Sequence, residues 1–130
     1  MSNTKKHPAL GFQEDKKVVF TALSKKLFYF RMQIQKFVLE QGSVPINPFM
    51  SFEYFLVDSV PRDLIRAANN NLIKRADELW VFGDISDGVQ AEIEMVQKRG
   101  VPIRYFEVID AKSIRETTVD NILFEEGVST

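Results

Sequence analysis

The chain has 130 residues, 17 of them Lys or Arg and 18 Asp or Glu, giving a formal charge of −1 with one His and no Cys. That length suits one domain with its own core, while the missing Cys excludes disulfides, thiolate nucleophiles and Cys-held zinc, and a lone His excludes His₃ and HExxH metal centres. Balanced charge argues against a nucleic-acid polymer as partner. No apolar run suits a membrane span or signal-peptide core, so a soluble cytoplasmic protein is expected.

Residues 1–16 read as a polar arm broken by Pro8 and Gly11. Lys17 to Leu23 is a short apolar run of the kind a buried parallel strand gives. Leu27 to Gln41 follows as a helix, with Phe30, Ile34, Phe37 and Val38 at helical spacing and Gly42 as its stop. Val44 to Asn47 is a brief strand, confined to a sheet edge by Pro45. Ser51 to Val57 fits one or two helical turns, and Asp58-Ser59-Val60-Pro61 signals the start of a helix from Arg62 to about Ala76. Glu78 to Phe82 is a second buried strand ending at Gly83-Asp84, and Ser86-Asp87-Gly88 opens a helix that Gly100 stops near Arg99. Val101 to Phe106 is the last strand of a domain spanning 17–109, and 110–130 is a tail that adds at most a helix.

Strands alternating with helices across short connections imply right-handed βαβ units. The expected fold is a small doubly wound α/β domain of Rossmann- or flavodoxin-like three-layer form, its mostly parallel sheet in the order 2-1-3-4. Ligands bind such sheets at the carboxyl ends of the strands, at the switch point. Here that point lies between the strands ending at Leu23 and Asp84.

The best-defined candidate site is therefore Asp84 to Glu92, where a strand ends in an acid and a polar turn opens a helix. Free N–H groups there suit an anion. Simple capping by Asp87 with Gln90 three residues on explains the same residues. Glu92 sits at the margin of the Val89, Ile93 and Val96 stripe, roughly 60° from its centre, as either a surface group or a site residue. Asn69 falls inside the apolar stripe of the preceding helix, between Ile65 and Ile73, and a buried amide there needs a hydrogen-bond partner. Phe49, Phe52, Tyr54 and Phe55 crowd together as core or interface packing, or as a wall over a flat ligand. Lys25-Lys26 after the first strand is solvated or meets an anion. Arg104 pairs with an acid across the sheet end or lies at its edge. GxGxxG, GxxxxGK[ST] and GxSxG are all absent.

This arrangement resembles the nucleoside 2-deoxyribosyltransferase superfamily, which includes the 2′-deoxynucleoside 5′-phosphate N-hydrolases. The resemblance spans about Lys17 to Phe106. It rests on the order of elements, Asn47-Pro48 after the second strand, Ala76-Asp77 before the third, and Ser86-x-Gly88-Val89-x-x-Glu92-Ile93. It implies that Glu92 is the nucleophile on the anomeric carbon and that Ser86 and Gly88 contact a 5′-phosphate. Asp84 then binds a sugar hydroxyl, Phe20 and Asn47 flank the ligand, and Phe52 covers the base. Asn69 stands where the family carries an Asp, and orients the ligand without shuttling a proton. Phe20 stands near a family Tyr, and Leu23-Ser24 replaces a Gly-bearing turn. The resemblance implies a nucleoside or nucleotide as ligand, no metal or organic cofactor, and a homodimer or larger homo-oligomer. A non-catalytic nucleotide-binding module of the same fold is the alternative, and a protein-interaction domain a third.

Overall fold

A computed structural model describes residues 6–51, 59–125 and 128. A five-stranded sheet runs in the order β2-β1-β3-β4-β5. The strands are β1 (Val18–Leu23), β2 (Val44–Ile46), β3 (Glu78–Phe82), β4 (Ile103–Asp110) and β5 (Ser113–Thr117). The helices are α1 (Arg31–Glu40), α2 (Pro48–Ser51), α3 (Arg62–Arg75) and α4 (Asp87–Gln97). β1, β2, β3 and β4 pair in parallel, and β5 returns antiparallel to β4.

The expected α/β architecture and strand order stand, with one addition. The tail expected to add at most a helix supplies a fifth strand through a tight hairpin after Asp110. Its edge position leaves β5 partly exposed, so it never needed the apolar run that marks a buried strand. The last parallel strand also starts and ends later than expected. Pro102, which lacks an N–H, precedes β4, although its carbonyl still accepts from Leu79 N at 3.0 Å. Before α1, the chain forms a 3-10 helix over Lys25–Phe30, capped by the Ser24 hydroxyl that accepts from Lys26 N at 3.2 Å.

Two apolar layers sandwich the sheet. On one face Val19, Leu23, Trp80, Phe82 and Phe106 meet Ile34 and Val38 of α1. On the other Phe20, Ala22, Leu79 and Val81 meet Ile73 of α3 and Val89, Ile93 and Val96 of α4. Both faces of β1 and β3 are thus covered, which explains their unbroken apolar runs. Arg99 fastens α3 and α4 at the end where both helices finish, donating to Ile73 O at 3.1 Å and Lys74 O at 2.5 Å.

Polar groups organise the amino end of the sheet. Asp77 Oδ2 accepts from Val18 N at 2.8 Å. Buried Glu78 accepts from Lys17 Nζ at 2.7 Å and from the Trp80 indole at 2.8 Å. Burial pushes the Glu78 carboxyl up, but Lys17, Trp80 and Arg104 outweigh it and hold the group below the usual carboxylate range. Arg104 lies over the Trp80 ring at 4.5 Å and forks onto Glu116 of β5 at 2.8 and 2.7 Å. Among the described residues, no helix is long and apolar enough to cross a membrane.

At the other end β3 stops at Gly83, whose φ of 75° favours glycine. A methyl group there would also sit 2.5 Å from Leu27 Cδ1. Gly83→Ala should destabilise the fold by about 1–2 kcal/mol from the backbone alone, read as a lower denaturation midpoint with unchanged m-value.

Candidate active site

The sheet's carboxyl end opens into a cavity of about 870 Å³ at the switch point between β1 and β3. Leu23, Ser24, Lys25 and Lys26 enter it from the end of β1, and Pro48 and Phe49 from α2. Ile65, Arg66, Asn69 and Asn70 come from α3, and Ser86 to Val89 with Glu92 and Met95 come from the start of α4 and its inner side. Glu125 arrives from the C-terminal segment.

Asn69 Nδ2 donates to Glu92 Oε2 at 3.1 Å across the α3–α4 seam. The partner required by an amide in an apolar stripe is therefore the carboxylate at the margin of the next helix. The Asn69 Oδ1 atom is buried without a hydrogen-bond partner among the described residues. Burial pushes the Glu92 carboxyl up to about 7, and the Asn69 hydrogen bond opposes part of that rise. Desolvation disfavours the carboxylate, whereas an amide donor favours it. Near neutrality Glu92 therefore exists in both forms, the range in which a carboxyl can exchange protons or attack as an anion.

Ser86 caps α4, its Oγ accepting from Val89 N at 3.3 Å. The cap expected at Asp87 thus lies one residue earlier, and Asp87 is the first helical residue. Gly88 lies in the first turn and also lines the cavity. Asn47 is buried at the end of β2, with Oδ1 accepting from Phe49 N at 2.9 Å and Nδ2 without a partner among the described residues. It borders the lining through Pro48 and Phe49 and is not itself part of it.

Two candidates fall elsewhere. Phe20 is fully buried in the core on the α3–α4 side. It lies three residues before the end of β1, beneath the strand terminus where the lining starts. Asp84 is exposed and does not line the cavity. After the turn at Gly83 it is Ile85 that points inward, only 1 % exposed. Phe52, with Tyr54 and Phe55, lies outside the described residues. Of the Phe-rich segment, Phe49 reaches the cavity and meets Phe28 edge-on at 5.5 Å.

Sequence reasoning missed Glu125 altogether. It is brought in by tertiary pairing, with Ile85 N donating to Leu123 O and Glu125 N to Ile85 O, each at 2.9 Å. No local spacing announces such a contact. Arg66 and Met95 were equally silent, since each reads as an ordinary helix residue. Among the described residues, no group of three or more His, Asp or Glu is placed to hold a metal ion.

Residues 23–106 match a family described as a domain of unknown function, DUF7768. The match covers more than half of the chain. This chain belongs to the DUF7768 family. The DUF7768 segment contains every cavity residue named above except Glu125. No curated protein and no solved structure matches the chain.

The Glu92 pair has a measurable signature. Because its folded pKa of about 7 exceeds the ordinary carboxyl value of 4.5, its contribution to stability is full below pH 4.5 and lost as pH rises through 7. Glu92→Gln should remove that component, whose size is roughly 3 kcal/mol at most, so that variant and wild type diverge across this window in denaturation curves. Asn69→Ala, which deletes the amide donor, should move the Glu92 midpoint upward in a carboxyl carbon NMR titration.

Proposed function

We propose that this domain cleaves or transfers at the N-glycosidic bond of a nucleoside or nucleoside 5′-phosphate, with Glu92 as the nucleophile. The observation that supports it is a carboxyl group in a cavity at the strand ends, with one oxygen held by Asn69 at 3.1 Å. Among the described residues, the other oxygen of Glu92 takes no intramolecular hydrogen bond. An oxygen left open in this way is suited to meet an anomeric carbon. In the first step, ionised Glu92 forms a bond to C1′ as the C1′–N bond breaks, and the departing base takes the electron pair and a proton from solvent. In the second, water or another base attacks C1′ and releases Glu92, the proton of the attacking group passing to solvent. The oxocarbenium-like states in between are stabilised by the adjacent carboxylate.

The apolar side chains of Leu23, Phe49, Ile65, Val89 and Met95 suit a flat base. Fixing Glu92 through Asn69 keeps its carboxylate oriented, which lowers the reorganisation needed at the moment of reaction. A second reading, a nucleotide-binding module without turnover, is favoured by one feature. The group beside Glu92 is an amide, which cannot relay a proton.

Free base released from a panel of 2′-deoxynucleosides and their 5′-monophosphates, with and without an acceptor base, separates these readings. Wild type should release base at a rate that rises with pH through about 7, as Glu92 ionises. Glu92→Gln should lower release by about 10³-fold or more while ligand binding persists, because the nucleophile is removed and the cavity is kept. Tight binding by wild type without release would establish the binding module instead.

A homo-oligomer belongs to the same proposal. Exposed Tyr29, Met32 and Leu39 near α1 offer apolar surface for it. Sedimentation at micromolar concentration should show a dimer or larger assembly, and a monomer would refute this part.

A further inference from the structure

A second, smaller cavity of about 340 Å³ lies between α1 and the hairpin that joins β4 to β5. It shares no lining residue with the cavity around Glu92. Its floor is apolar, made by Phe37 and Ile114, which both pack onto the core layer of Trp80, Phe82 and Phe106. Gln33, Lys36, Phe37 and Glu40 recur at helical spacing, so one face of α1 supplies one wall. Lys112 supplies the other from the hairpin turn, which Asp110 Oδ1 braces by accepting from Lys112 N at 2.8 Å.

The polar groups of this cleft lack partners. Gln33 Oε1 is buried and accepts no hydrogen bond among the described residues. Lys36, Glu40 and Lys112 are exposed and form no ion pair among the described residues. Lys36 precedes Glu40 by one helical turn, the weaker order for such a pair. A buried acceptor without a donor costs free energy, which an occupant bringing an N–H group recovers.

Charge and spacing narrow the occupant. Two ammonium groups against one carboxylate favour a ligand with an anionic group. Gln33 and Lys36 are neighbours on the helix surface, with Cβ atoms about 5–6 Å apart. That reach fits an N–H donor and a carboxylate borne on a single carbon. The apolar floor suits a hydrocarbon side chain. The volume is at the small end of ligand cavities and suits a molecule far smaller than a nucleotide.

We propose that this cleft is a binding site for a free α-amino acid with an apolar side chain. Its ammonium donates to Gln33 Oε1, its carboxylate meets Lys36 and Lys112, and its side chain rests on Phe37 and Ile114. Glu40 repels a second carboxylate and so disfavours acidic amino acids. The N-glycosidase reading stands or falls separately.

Calorimetry and NMR on the full chain test it, with leucine, methionine and phenylalanine as probes beside leucine methyl ester and isocaproate. Leucine should bind saturably with a Kd below about 10 mM, a range open to a ligand of so few atoms. It should shift the Gln33 side-chain amide and the Ile114 methyl resonances. The ester lacks the carboxylate charge and isocaproate lacks the ammonium. Each should bind about tenfold more weakly or worse, since a site built around a polar group penalises its absence. Gln33→Met keeps the side-chain length and removes the acceptor, and should weaken leucine by about tenfold or more. Lys112→Met removes an exposed charge and should cost about threefold.

No saturable shift at Gln33 or Ile114 with any of the three amino acids would overturn the proposal. Undiminished leucine binding by folded Gln33→Met would overturn it too, as would shifts confined to the residues around Glu92. If Gln33→Met does not fold, the ester and isocaproate on wild type decide, and undiminished binding of either refutes the proposal.

Discussion

The parallel pairing of β1 with β3 carries the architecture, because the cavity opens at the carboxyl ends of these two strands and both Ser24 and Ser86 follow from them. Their register runs from Val19 opposite Glu78 to Leu23 opposite Phe82. Alternate residues feed the two apolar layers, so a slip of one residue would exchange the faces of a whole strand. Pinning at the amino end comes from Asp77, which accepts from Val18 N, and from the Lys17–Glu78 ion pair. With that end fixed, Ser24 and Ser86 emerge where a ligand can meet both.

The cavity's chemistry follows from the seam between α3 and α4. Both helices pack apolar side chains against the same sheet face, and each carries a polar residue at the seam, Asn69 within the stripe of α3 and Glu92 at the margin of that of α4. Asn69 and Glu92 meet because neither can be left alone in that setting. Burial raises the proton affinity of Glu92, and the amide moderates the rise without contributing a charge. An acid in place of Asn69 would set two like charges at this distance, a different titration altogether.

Much of this is legible in the sequence itself, for physical reasons that differ by residue. Val18 to Leu23 and Glu78 to Phe82 were plain because strands covered on both faces need continuous apolar side chains. Asn69 stood out because a polar group in an apolar stripe demands a partner, and Glu92 because it sat at a stripe margin near a helix start. The cap was misplaced by one residue because Ser86 and Asp87 are equally good caps in sequence, and only the exit geometry after Ile85 decides. Phe20 was placed at the ligand by likeness of position, although the strand continues past it and buries it. β5 and Glu125 escaped because edge strands and distant bridges carry no local period. Their positions are set by β4 and Ile85, partners that their own residues do not name.

The two borders of the sheet also constrain how copies of the molecule can meet. One border is β2, three residues long with Pro45 at its middle, which lacks a donor for further pairing. The other is β5, where exposed Arg115 and Glu116 both lean back onto acid and base in β4. Neither border offers the long, uncharged row of free amides and carbonyls that strand addition needs. Growth of a continuous intermolecular sheet is therefore blocked at both ends, and any self-association is left to helices and side-chain surfaces.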